Sequence, residues 1–354
     1  MRTQFLNSNN QNSRTRDGVN RKNFRLCCER LEERDVPTVF TVTSSDDSGP
    51  DTLRQAIIDA SAPLLPDGEL HQISLSVMNV RLQSALPDII NVVRLYSNET
   101  NTADMPSIDN DTSIMSPGGR QEFTMLTIPA NLANTSLTIE NVKFINGYGT
   151  NGSAIENGSS LTLNNCLFEN NISTSSGGAI LNKLLLDINN CTFTGNKALD
   201  GRGGAIWQLA INGGAQISIS DSTFTYNEAQ YDGGAIAVYN GFSLAVNNSN
   251  MSLNKSYSGS GGAIWMNIYL YLTVSGGMIT SNFAESAGAI YAVDQFWCSI
   301  GTFIAYNGLN HDGYGYNGLI VSKFGPETAS VNLDLVYDHS LIDDFDWPSN
   351  SGPP

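Results

Sequence analysis

Apolar and polar positions alternate in short runs along most of this chain, as in Leu161-Thr-Leu163, Ile217-Ser-Ile219 and Leu272-Thr-Val274; Leu244-Ala-Val246 follows the same rhythm. Alternation over three to five residues marks half-buried strands. Between residues 131 and 340 no segment keeps a helical apolar period. The strands recur with two in-phase strings. Gly-Gly-Ala-Ile stands at Gly177–Ile180, Gly203–Ile206, Gly233–Ile236 and Gly261–Ile264, with weaker copies at Gly152–Ile155 and Ala287–Ile290. The steps are 25, 26, 30, 28 and 26 residues. Phe-x-x-Asn precedes most copies, at Phe168–Asn171, Phe193–Asn196 and Phe224–Asn227, and degenerates to Met251–Asn254, Ile279–Asn282 and Ile304–Asn307.

A fixed period of this size means stacked supersecondary units. Each unit reads as a strand, an Asn/Asp/Gly turn, a short strand ending in Phe-x-x-Asn, a loop, and a Gly-Gly-Ala-Ile strand. Three short parallel-stacking strands per repeat predict an all-β, right-handed parallel β-helix of about ten coils, right-handed because parallel crossovers have that hand. The columns Phe168/Phe193/Phe224 and Asn171/Asn196/Asn227/Asn254/Asn282/Asn307 are read as structural. The rings stack inside the coil and the amides form a ladder, since Asn both donates and accepts. Cys166 and Cys191 stand two residues before the repeat Phe, where later coils carry Ser222 and Ser249; the slot is read as one for small side chains rather than a disulfide.

The organisation expected along the chain is a disordered basic segment over 1–35, then one β-helix domain over 36–343, then a tail over 344–354. Within the domain, a capping helix covers 52–60, irregular coils 61–136, regular repeats 137–307 and degraded last coils 308–343. Thr52 and Gln55 have capping-box spacing, and Leu53, Ala56, Ile57 and Ala60 share an apolar face. Strands are predicted at Ile73–Val77, Val80–Leu82, Ile89–Leu95, Met125–Ile128 and Val331–Val336, and a long polar loop at Ser97–Gly119.

The 354 residues carry a net charge of −16. Residues 1–34 hold eight basic and four acidic side chains, so the remainder has ten against thirty, a balance of −20. So acidic a body repels nucleic acid phosphates, which excludes that class of partner. No apolar run reaches membrane-spanning length, so no transmembrane segment is expected. Residues 1–34 lack the apolar stretch of a standard signal peptide.

The candidate chemistry lies beside the Gly-Gly strings. The position after Gly-Gly-Ala-Ile reads Leu181, Trp207, Ala237, Trp265 and Tyr291. With the Ile inward, alternation points these outward, and Trp207, Trp265 and Tyr291 form a stripe suited to stacking on sugar rings. The position before Gly-Gly reads Ser176, Arg202, Asp232, Ser260 and Ser286. There Arg202 and Asp232 fall on successive coils as a cross-coil ion pair. With Asp200 they are the weak candidates for acid–base catalysis, as paired carboxylates serve glycoside hydrolysis. Basic residues in the repeats are few, and the three histidines lie outside the regular coils. Phosphate-binding loops and the calcium-binding nonapeptide string are absent from the sequence. No cofactor and no metal site is expected.

The paired Gly-Gly-Ala-Ile and Phe-x-x-Asn strings resemble the repeats of chlamydial polymorphic outer membrane proteins over roughly 140–310. The segment Thr41-Val-Thr-Ser-Ser-Asp-Asp-Ser-Gly-Pro-Asp-Thr-Leu-Arg-Gln-Ala-Ile57 is similar to the lead-in of many bacterial β-helix surface proteins. Leu31-Glu-Glu-Arg-Asp-Val-Pro37 resembles a short signature of planctomycete secreted proteins and implies export without a standard signal peptide. Polymorphic proteins end in a membrane barrel; no series of barrel strands is visible here, so outer-membrane insertion is not implied. These features favour a non-catalytic exported or cell-surface scaffold, adhesin-like or part of an envelope matrix, whose partner is an extracellular polysaccharide or another surface protein. A carbohydrate-active β-helix enzyme, a polysaccharide lyase or glycoside hydrolase, is the alternative.

Overall fold

The computed structural model describes residues 38–61, 70–110, 121–130, 132, 134–210, 214–267, 271–292, 295–298, 303–305, 307–309 and 319–321. The segment 1–35, the resemblance at 31–37, the strand expected at 331–336 and the tail 344–354 lie outside the described residues. The described residues form a parallel β-helix. Four sheets of ten, nine, seven and eight strands run along it, and every pairing between strands is parallel. One complete coil consists of Gln216–Ser220, Thr223–Thr225, Glu228–Ala229 and Ile236–Asn240, one strand for each sheet.

Two expectations about the coil need amending. The unit has four strands, not three. The additional strand has two residues, as in Lys197–Ala198, Glu228–Ala229 and Lys255–Ser256. Two residues are too few to show alternation, so only pairing with the neighbouring coil reveals them. The ten-stranded sheet also spans more levels than are fully formed. Among the described residues, the seven strands of the shortest sheet mark the coils with all four walls.

Sharp corners separate the walls. Three columns of residues lie in the left-handed backbone region, with φ between 48° and 69°: Asn165/Asn190/Asp221/Asn248, Asn170/Gly195/Tyr226/Leu253 and Gly177/Gly203/Gly233/Gly261. Asn and Gly tolerate this conformation best, which accounts for the composition. The second glycine of each pair has a different reason. A Cβ at Gly204 would collide with the Gly234 carbonyl oxygen and come within 2.5 Å of the Glu228 nitrogen. Successive coils approach there too closely for any side chain.

The core is a set of columns. Phe168 pairs with Phe193, and Phe193 with Phe224, so their buried rings stack at 4.6 Å with planes within 3° of parallel. Phe144 extends the stack at 5.2 Å; its string ends in Gly147 rather than Asn, which hid it in the sequence. Such pairs add about 0.5–1.5 kcal/mol each beyond burial. At the adjoining corner, all six ladder asparagines are wholly buried. Asn196 Nδ2 donates to Asn227 Oδ1 at 2.9 Å and to the Phe168 carbonyl at 3.0 Å; Asn227 Oδ1 also accepts from Asn196 N at 3.2 Å. The pattern repeats through Asn254, Asn282 and Asn307. A second buried ladder, Asn157–Asn182–Gln208, was not foreseen: Asn157 Nδ2 donates to Asn182 Oδ1 at 2.7 Å, and Asn182 Nδ2 to Gln208 Oε1 at 3.1 Å. Its copies end when Val238 and Met266 take the same register, so no repeat was visible.

Cys166 and Cys191 are buried and unbonded. Cys191 Sγ accepts from Cys166 N, Ser222 Oγ from Cys191 N at 3.0 Å, and Ser249 Oγ from Ser222 N at 3.0 Å. The slot selects a small acceptor for the preceding coil's amide. Burial pushes the Cys166 thiol well above its usual range.

The helix Leu53–Ala60 forms as expected. Thr52 Oγ1 accepts from Gln55 N at 3.2 Å, while the Gln55 amide turns to Asp59 Oδ1 at 2.8 Å rather than closing the box. Leu53, Ala56, Ile57 and Ala60 are buried against strands Val39–Val42 and Leu70–Leu75. This apolar face joins the same core at its first coil, covering an end that would otherwise be open. The polar loop expected at 97–119 is corrected in part. Ser107–Asn110 is a strand, paired with Asn79–Leu82 and Lys143–Ile145, and Ile108 is fully buried. A single Ile among polar residues gave no alternation; its neighbours above and below make it a strand. The fourth sheet continues to Leu319–Val321, paired with Ile290–Ala292, inside the span 308–343 expected to hold degraded coils.

Candidate functional site

The fourth sheet carries the candidate residues. Parallel register aligns Glu156, Leu181, Trp207, Ala237, Trp265 and Tyr291 in one column, each one residue past a buried isoleucine. The three aromatics of the expected stripe therefore occupy one line down the helix. They are half-buried rather than free-standing, and Leu181 and Ala237 are buried. Strands lie about 4.8 Å apart, so a methyl group flanked by indoles on both sides is shaded by them. Among the described residues, Trp207 Nε1 is buried without a hydrogen-bond partner.

The two positions flanking the Gly-Gly string, separate in sequence, converge on Trp265. Arg202 Nε donates to Asp232 Oδ2 at 2.8 Å across successive coils. The Arg202 guanidinium carbon lies 5.6 Å from the centre of the Trp265 ring, a cation–π distance. Tyr239, three residues past Ile236, lies nearly parallel to Trp265, with centroids 6.4 Å apart. Tyr239 is 41% exposed and was not singled out from the sequence, because it lies beyond the repeated string. The pair is anchored by backbone. Asp232 Oδ1 accepts from Ser260 N at 3.0 Å, and Ser176 Oγ accepts from Arg202 N at 3.0 Å.

The candidate acid–base trio is divided by these contacts. Arg202 and Asp232 meet, but Asp200 accepts from the Tyr231 hydroxyl at 3.3 Å instead. One Asp232 oxygen faces the guanidinium and the other a backbone amide. Two further basic side chains are paired with carboxylates, Lys183 with Glu156 and Lys197 with Glu228 at 2.9 Å, whereas Lys143 Nζ donates to the Thr102 and Ala103 carbonyls and Lys255 Nζ lies 4.3 Å from the centre of the Tyr257 ring. The hydrogen bond that the Lys197 ammonium donates to Glu228 raises its pKa above the ordinary lysine value. No helix of the described residues is long and apolar enough to cross a membrane.

Three segments, 165–183, 190–208 and 221–239, match the Chlamydia polymorphic membrane protein repeat. Each begins on a positive-φ corner, Asn165, Asn190 or Asp221, and runs through the Phe, Asn and Gly-Gly-Ala-Ile positions to within one residue of the end of the fourth-sheet strand. The match covers the part of the expected 140–310 resemblance in which both strings are intact. No curated protein matches the chain.

Proposed function

We propose that this protein is a non-catalytic, exported or cell-surface β-helix, adhesin-like or part of an envelope matrix, that binds an extracellular polysaccharide along its fourth sheet. The observation that carries the reading is the shared column of Trp207, Trp265 and Tyr291. Trp207 and Trp265 are two coils apart, roughly 10 Å at the usual strand spacing, which is near the length of a disaccharide in an extended chain. The apolar faces of sugar rings bury against aromatic rings. Trp207 also buries an N–H that has no partner among the described residues, a cost of about 1–3 kcal/mol that Leu181, in the same register one coil earlier, does not carry. Surface placement is supported by the matched family, whose description names a membrane protein, and by the acidic body.

The test is a glycan array with the wild type and the Trp207→Ala, Trp265→Ala double variant, run beside a polysaccharide depolymerisation assay. The double variant is expected to lose glycan binding while keeping its β-sheet spectrum. Equal binding by both proteins overturns the aromatic face as the site. Release of shortened chains overturns the non-catalytic reading.

A further inference from the structure

We infer that the polysaccharide bound by this face is uncharged, and that the Arg202–Asp232 pair reads its hydroxyl groups; this rests on the binding reading above and narrows it to one chemical class. Arg202 commits Nε to Asp232, and its side chain is 40% exposed. A guanidinium has five N–H donors, so those on the two Nη atoms, which make no hydrogen bond among the described residues, remain available beside Trp265. Asp232 uses one oxygen for Arg202 and the other for Ser260 N. Each carboxylate oxygen has two lone pairs, so acceptor capacity remains on a side chain 17% exposed. A fixed donor fork next to a fixed acceptor, flanked by aromatic rings, complements vicinal sugar hydroxyls, which donate and accept at once.

Charge decides against an acidic polymer. The pair is neutral as a unit, so the arginine offers no net charge to a carboxylate or sulfate. Lys183 and Lys197 are paired with Glu156 and Glu228. The chain outside residues 1–34 carries −20, and a long polyanion meets that field as repulsion. An uncharged polymer meets none, and its binding is insensitive to salt.

The experiment uses the full-length protein and matched polymers, dextran with dextran sulfate among them, plus xylan, mannan and laminarin against alginate and polygalacturonate. Affinities are measured by calorimetry from about 50 mM to about 500 mM NaCl, a range over which surface charge effects are screened. The expected result is that at least one neutral polymer binds, with its affinity changing less than about twofold across that range. Arg202→Gln and Asp232→Asn are each expected to weaken this binding about tenfold or more, as loss of a charge-assisted hydrogen bond does. Asp232→Asn keeps an acceptor for Ser260 N, and the far-UV spectrum of each variant checks the fold. Tighter, salt-sensitive binding of the anionic polymers overturns this inference and leaves the binding reading standing. Unchanged affinity in both variants overturns the role of the pair. Binding of no polymer in either class overturns this inference and the reading beneath it together.

Discussion

Removal of one rung of the asparagine ladder is a direct test of what holds the coils in register. In Asn227→Ala, Asn196 loses the acceptor for its backbone N–H (3.2 Å) and for one Nδ2 hydrogen (2.9 Å), and the Phe193 carbonyl loses its donor at 3.0 Å. All of these groups are buried where water does not reach them, and Asn196 and Asn227 are wholly inaccessible. Two orphaned N–H groups at about 1–3 kcal/mol each, with a small cavity added, predict a loss of about 3–6 kcal/mol. Because each coil touches only its neighbours, the loss should concentrate in the coils around Asn227. Urea unfolding followed by circular dichroism gives the magnitude, and amide hydrogen exchange gives the location. Asn189→Ala is the control: its side chain donates at 3.1 Å to Asn164 in an exposed column, and surface changes of this kind cost less than about 0.5 kcal/mol. A loss below about 1 kcal/mol for Asn227→Ala, or one equal to the control, would refute the view that ladder amides are structural.

The stacked phenylalanines and the paired glycines give two more checks by the same unfolding assay. Phe193→Ala and Phe224→Ala are each expected to cost about 3–5 kcal/mol, and near-zero loss for both would place the ring column outside the core. Gly204→Ala should be at least as damaging, because the methyl meets the Gly234 backbone rather than a flexible side chain. Gly214→Ala, whose Cβ has nothing within 4 Å, should stay near wild type, and equal tolerance at the two sites would show that the coils can separate there at no cost.

The sequence by itself determined the architecture. The period of Gly-Gly-Ala-Ile, the in-phase Phe-x-x-Asn and the alternating strands each report a local requirement: a left-handed corner, a buried ring or amide, a two-sided strand. Stacking identical requirements makes the fold legible, because each coil repeats what its neighbour needs. The helix Leu53–Ala60 was legible for a similar reason, since its cap and its apolar face are local patterns. Only the tertiary structure decided the rest. The two-residue strands, Ser107–Asn110, and the Asn157–Asn182–Gln208 ladder exist through pairing with residues 24 or more positions away, and no single segment carries their signal. The candidate site divides in the same way. Repeat position put Trp207, Trp265 and Tyr291 in one column and Arg202 beside Asp232. That Arg202 and Tyr239 gather on Trp265, that Asp200 turns to Tyr231, and that Ala237 is shaded depends on how far side chains reach across strands about 4.8 Å apart, a distance along the helix axis that the linear chain does not encode.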